Sequence, residues 1–312
     1  MSDFDAILKA YERSGGDPSF LRSTSVASLV ISGNTVLGLN RLPGLNATAE
    51  SLPDGVKIAL SIDPDVHFEN PIHLCFGVVP KEGVQRILAT FDIGDGASVE
   101  FTAHCTFPNA MQVQHIMDAE IHVGRNATMR YQETHYHGES GGVEVLPTAR
   151  VKVAEGGRYI TGFNLSTGRV GRMVFDYEVD VDAYGVAELD AKALGYADDE
   201  IVVKETIRLN GEHARGLAKS RIAVRDRARA EVYGTTEGNA AFARGHVDCV
   251  EIVRDQAIAS AVPVVKVTHD RAQVTHEASI GTVAKKELET LMARGLDEET
   301  AVDIIIRGML EG

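Results

Sequence analysis

Residues 245 to 255 read GHVDCVEIVRD, and place Cys249 between His246 and an alternating apolar run. A cysteine in such a run is either a small buried hydrophobe, packed and inert, or a thiol that binds something. A second candidate is ETHYHG, in which His135 and His137 stand two apart and so project from one face of a strand. That is the spacing of an HxH metal site, with Glu133 as a nearby carboxylate; a solvated or turn-flanking pair is the plainer reading. Cys75 in HLCFG and Cys105 in AHCTF sit in alternating apolar runs and read as core. GEHARGLAKS fails as a phosphate loop because Leu217 and Ala218 occupy the places where a GK-[ST] would begin. The chain has no GxSxG, HExxH or convincing GxGxxG, so no nucleotide site is expected.

The elements that must position these residues are set first by composition. Lys plus Arg number 31 against 45 Asp plus Glu, a net charge of −14, so the surface repels phosphate backbones and nucleic acid is not an expected partner. The 312 residues, 44% apolar, suffice for a large core in one elongated domain or two ordinary ones. Three cysteines without a CxxC spacing make no disulfide framework and fit a reducing cytosol. MSDFDAILKAYE lacks a basic segment followed by an apolar one, and no run approaches the length of a membrane span. The expectation is a soluble cytoplasmic protein with no membrane partner.

A repeat dominates the middle of the chain. FDIGDGASVEF, IHVGRNATMRY, VKVAEGGRYI, VDVDAYGVAEL and later segments share an alternating apolar run broken by a small polar turn that ends in Ala or Gly. The anchors are Ala97, Ala127, Gly157, Gly185, Ala214, Ala228, Ala257 and Ala272, with successive differences of 30, 30, 28, 29, 14, 29 and 15. The unit is half of a coil of about thirty residues. Strands returning every half coil, with small residues at the bends, describe a β-solenoid of about six coils between Ala97 and Ala272. A sandwich or jelly roll would show turns every 8 to 12 residues instead.

The ends differ. Phe4, Ile7, Leu8 and Tyr11 form the stripe of a short amphipathic helix that SGGD terminates, which predicts a cap on the stack. In KKELETLMARG, Leu288, Leu291 and Met292 share a face, and Asp297 can N-cap a second helix. There Ala301, Val302, Ile305, Ile306, Met309 and Leu310 make a continuous stripe that either seals the last coil or docks a partner. The expected division is residues 1–60 as N-terminal helix and lead-in, 61–281 as solenoid core, and 282–312 as a C-terminal helical subdomain.

GHVDCVEIV, then AQVTHEASIG, then LETLMARGLDEETAVDIIIRGML resemble the C-terminal half of the SufB/SufD family of iron-sulfur cluster assembly proteins, and TMRYQETHYHG resembles a further family segment. The resemblance implies a right-handed parallel β-helix with terminal helical regions, in agreement with the repeat. Cys249, with Glu277 after His276, resembles the SufB rather than the SufD type. Ala154, in VKVAEGG, stands where longer bacterial SufB proteins carry a central cysteine, and the short chain resembles the compact form of minimal two-component systems. The resemblance further implies a non-enzymatic scaffold working with a SufC-type ABC ATPase, docked on the C-terminal helices through Val302, Ile305, Ile306 and Met309. It implies pairing through the β-helices, as a homodimer or with another SufB/SufD-like chain, and delivery to apo iron-sulfur proteins.

Within that setting, 276 − 249 = 27 residues is close to one coil, which puts Cys249 and His276 on neighbouring rungs about 5 Å apart. A thiolate, an imidazole and the Glu277 carboxylate would then share a small patch. Mixed ligation suits a scaffold that binds an iron-sulfur cluster transiently and must release it. The alternative from another class is a metal-dependent enzyme on a β-solenoid or cupin-like barrel, using His135 and His137.

Overall fold

The thirty-residue recurrence is a ladder of parallel strands. The computed structural model describes residues 3–311. Ser98–Phe107 lies beside Thr128–His137, followed by Arg158–Thr167, Val186–Gly195, Arg215–Val224, Arg244–Val253 and Gln273–Gly281, each parallel to the next. Ser98 pairs with Thr128, Thr128 with Arg158, Arg158 with Val186 and Val186 with Arg215, and these separations of 30, 30, 28 and 29 residues repeat those of the anchors. The intervening strands, from Gly55–Ile62 to Ile258–Val267, form the second sheet. Alternate strands thus build a ten-stranded and a nine-stranded sheet, a parallel β-solenoid of about eight turns. The two cover each other, and each strand alternates, as in Val186–Gly195, where every second side chain is buried in the lumen.

The corners explain the anchors. Gly96, Asn126, Gly156, Tyr184, His213 and Phe242 all adopt left-handed backbone, with φ between 55° and 73°. Such a residue turns the chain sharply, and the next one points into a bend with little room. Ala97, Ala127 and Ala214 are accordingly buried, and at Gly157 a Cβ would stand 2.9 Å from the Gly124 carbonyl oxygen. Another corner is closed by Asp199, which is fully buried: its carboxylate accepts from the amides of Val170, Gly171 and Tyr196 and from Arg169 Nε at 2.9 Å.

Both terminal helical regions lie on the side of the stack, not across its ends, which corrects the expected N-terminal cap and sets aside sealing of the last coil by the C-terminal stripe. Helix α1 (Asp3–Arg13) packs Ile7, Leu8 and Tyr11 onto Val30 and Cys75 on the outer face of the first sheet. Ile72–Gly77 is therefore buried on both faces, with Leu74 and Phe76 in the lumen and Cys75 beneath the helix. Antiparallel additions close this end instead: Thr35–Asn40 beside Ser28–Ser32, and Leu45–Leu52 beside Gly55–Ile62. Helix α2 is the short Pro18–Arg22 segment.

At the other end, helix α3 (Lys285–Met292) and helix α4 (Glu298–Glu311) follow the last strand. Val302, Ile306 and Leu310 pack on Ala223 and Ile252, neighbours on adjacent strands of the first sheet's outer face. Ala301 is buried too, Ile305 and Met309 are half-buried, and Ile304 is 44% exposed. The last coil remains uncovered. On Ile258–Val267, Ile258, Val262 and Val264 point outward and Val265 and Val267 toward the lumen, yet all five are exposed, as is Ile280 on the last strand.

Candidate functional site

Cys249 occupies the lumen face of Arg244–Val253, with Ser220 on the rung before it and Ala278 on the rung after. It is 2% exposed and belongs to the core. Burial, then the carboxylates Glu251, Glu205 and Asp248, push its thiol up to about 11, against which a hydrogen bond with Ser220 acts. Glu251 lies two residues along on the same face; its Oε1 accepts from Ser220 Oγ at 3.5 Å, and its Oε2 has no hydrogen-bond partner. Burial raises it to about 7. Across the lumen stands Gly234, where a Cβ would be 3.9 Å from Cys249 Sγ, and the rung before Gly234 carries Glu205. Glu205 is buried with Oε1 unpartnered, and burial, then Asp190, raises it to about 8.

Strand parity sorts the other two candidates. His276 pairs with Val247, a lumen residue, so it shares the face of Cys249, diagonally offset by about 8 Å between Cα atoms. Glu277 pairs with Asp248 and points to the outer face, where Asp248 bridges Arg221 at 2.5 Å. Both His276 and Glu277 are exposed because no further rung follows. The 27-residue spacing thus brings thiol and imidazole to one face and the Glu277 carboxylate to the other. The carboxylate that shares the face of the thiol is Glu251.

The His135 and His137 pair lies elsewhere, deep in the lumen four rungs earlier in the first sheet's ladder. Glu133, His135 and His137 project inward from one strand, Cys105 from the strand before, and His115 from the facing sheet. His137 Nδ1 donates to the Arg169 carbonyl at 2.9 Å, so its Nε2 accepts from His135 Nδ1 at 3.2 Å. Neither ring nitrogen of His137 is free. His135 Nε2 is 2.6 Å from Glu133 Oε1, which also accepts from Cys105 Sγ at 3.3 Å. Burial, then the charge of His135, holds His115 near 3, and burial, then His135, does the same to His137.

The chain's relatives decide what this architecture is. The sequence model described as SUF system FeS cluster assembly, SufBD core domain, matches residues 84–309. The chain belongs to the SufBD family. An iron-sulfur cluster assembly SufBD family protein of Methanocaldococcus jannaschii is 34% identical over 304 residues, 97% of this chain and 96% of its own. One from Pyrococcus horikoshii is 36% identical over 310 residues, 99% of this chain and 94% of its own. A second protein of that name from Pyrococcus horikoshii is 28% identical, covers 81% of this chain and has 57% of its own length covered. The family therefore includes compact chains of this length beside longer ones. Sequence reasoning passed over Glu251, Glu205 and His115; the signal available was a polar residue at the inward phase of an alternating run, as in the CVEIV that follows Asp248.

Proposed function

We propose that the chain is the scaffold of a SUF-type assembly complex, on which an iron-sulfur cluster is built as cargo at the interface of two copies, with Cys249, His276 and Glu277 as ligands. The observation that carries the reading is the open last coil. Cys249 lies one rung below it, His276 is exposed on the same face, and an unpaired edge strand beside them exposes apolar side chains on both of its faces. A long apolar edge of this kind calls for pairing with a second chain. A homodimer is the simplest assembly, and it would present the outer face of one copy, with Glu277, beside the lumen end of the other.

Ligation by Cys249 requires loss of the thiol proton, because iron binds the thiolate. Glu251, on the same face and near 7, is the carboxylate placed to take that proton. A thiol held this far above neutrality competes with iron for its own proton, and retaking that proton on release suits transfer to apo iron-sulfur proteins. Energy comes from a SufC-type ABC ATPase docked on α3 and α4. Val302 and Ile306 face the solenoid and Met309 packs against them, so the surface offered to it is Ile304, Ile305 and Met292. No helix among the described residues is long and apolar enough to cross a membrane.

The test is anaerobic reconstitution of the full chain with ferrous iron and sulfide. Thiolate-to-iron absorption should appear in the wild type, vanish in Cys249→Ser and weaken in Glu277→Ala, with the circular dichroism of all three alike. Equal absorption in a folded Cys249→Ser variant would overturn the reading.

A further inference from the structure

Four buried side chains from both sheets converge in the lumen four to five rungs before Cys249. One donor atom from each of Cys105, His115, Glu133 and His135 lies within 4.8 Å of every other. Cys105 and His115 sit on opposite sheets, and Glu133 and His135 on the strand that follows Cys105 in its own sheet. All four are buried, at 0%, 1%, 4% and 1% exposure. So many polar groups in an apolar lumen are costly unless something satisfies them together.

The surrounding hydrogen bonds fix which atoms face inward. Gln85 Nε2 donates to the carbonyls of Gly33 at 2.8 Å and Gly77 at 3.2 Å, so Gln85 Oε1 must accept from His115 Nδ1, 3.0 Å away. His115 Nε2 is left as a bare lone pair, and it has no hydrogen-bond partner. On the other side, the Arg169 carbonyl fixes His137, and His137 Nε2 takes the proton of His135 Nδ1. His135 Nε2 is thereby turned toward Glu133, with one proton shared across 2.6 Å. Each imidazole thus has its outer nitrogen oriented by a second partner and its inner nitrogen aimed at the cluster, the arrangement by which proteins hold metal-binding histidines.

We propose that Cys105, His115, Glu133 and His135 form a closed, four-coordinate site for a divalent metal ion of the zinc class. A tetrahedron with metal–ligand bonds of about 2.0 to 2.3 Å has edges near 3.5 Å, so the farthest donors need approach by only about 1 Å while His135 Nε2 and Glu133 Oε1 separate by about 1 Å. Binding balances: the ion displaces the proton of the Cys105 thiol and the proton shared by His135 and Glu133, and two protons leave. Thiolate and carboxylate then carry two negative charges against the ion's two positive ones, leaving a neutral site in an apolar lumen. With four protein donors no position remains for substrate, so the metal is structural and ties one sheet to the other. This site shares no residue with the one proposed around Cys249.

Because the site is enclosed, loading is tested during folding. The full chain without a histidine tag is expressed in zinc-supplemented medium, and separately refolded from denaturant with zinc or with cobalt. The expected result is one equivalent of metal per chain, thiolate-to-cobalt charge transfer, release of two protons per ion and a melting temperature raised by metal. Cys105→Ser and His115→Gln should each lose at least tenfold in affinity and the cobalt thiolate band, whereas Cys249→Ser should retain both. A chain that stays metal-free through both routes, or uptake unchanged in a folded Cys105→Ser variant, would overturn the site. Anaerobic refolding with ferrous iron at equal concentration must give lower occupancy than zinc; higher occupancy would overturn the zinc assignment.

Discussion

Glu205 offers the sharpest test of how the lumen treats charge. Burial, then the neighbouring Asp190, raises its carboxyl from an ordinary 4.5 to about 8, and its Oε1 has no hydrogen-bond partner. A group whose affinity for a proton is higher folded than unfolded stabilises the fold fully below the unfolded value, and that contribution is lost as pH rises toward the folded value. At about 1.4 kcal/mol per pH unit, the loss is about 3 kcal/mol at pH 7 and about 5 kcal/mol above pH 8. Glu205→Gln has the same shape and no proton to lose, so its advantage over the wild type should be near zero at about pH 4.5, grow through neutrality and level off above about pH 8. Chemical denaturation of both proteins at three pH values spanning this window measures the difference directly, since Glu251 titrates in both and cancels to first order. Parallel stability curves would show that Glu205 is solvated in the folded chain and that the lumen does not penalise its charge.

The other predictions concern the thiol, a corner and a helix. Cys249 should react with iodoacetamide slowly at neutral pH, with a rate that climbs tenfold per pH unit toward about 11; reaction at the rate of free cysteine at pH 7 would contradict its environment. Asp199→Ala leaves Arg169 Nε and three amides without their acceptor, while Asp198 still pairs with Arg169 Nη2, and should cost about 3 kcal/mol in denaturant unfolding. A cost below about 1 kcal/mol would mean that water replaces the carboxylate. Ile304→Asp changes an exposed residue, so it should leave the melting temperature within about a degree and weaken binding of the SufC-type ATPase at least tenfold. Unchanged affinity would move the docking surface off α4.

How much was legible follows from which physical rule each feature obeys. The corners were readable because a left-handed residue followed by a buried small one admits few side chains: Asn126 before Ala127 and Gly156 before Gly157 imprint the turn on the sequence. Strand register came with them, since the pairing separations equal the anchor separations. The terminal helices were legible as helices but not in place. An amphipathic stripe states that a face is covered, not by what, and nothing in Val302 or Ile306 distinguishes the open coil from the outer surface near Ala223. Cys249 shows the same limit at the scale of one residue. Spacing brought His276 to the adjacent rung, but the face depends on parity, and an odd offset from Cys249's partner Ala278 sends Glu277 outward while an even one keeps His276 inside.

That placement joins the two proposed surfaces mechanically. Helix α4 rests on Ile252, which is on the same strand as Cys249 and three residues beyond it, so its side chain points out to the helix while that of Cys249 points into the lumen. A partner that shifts α4 therefore acts on the strand that carries the thiol, without any relay through the core. Among the described residues, only the rung bearing Ala278 separates that strand from the open end, and no helix or further strand covers this rung. Local opening is easiest where backbone pairing is one-sided and apolar contacts are few, and both conditions hold at Gln273–Gly281, where eight of the nine residues are exposed. In the proposed complex, ATP-driven movement of the docked subunits would thus reach the strand of Cys249 next to the rung that pairs with the second copy, and displacement of that rung uncovers Cys249 beside His276.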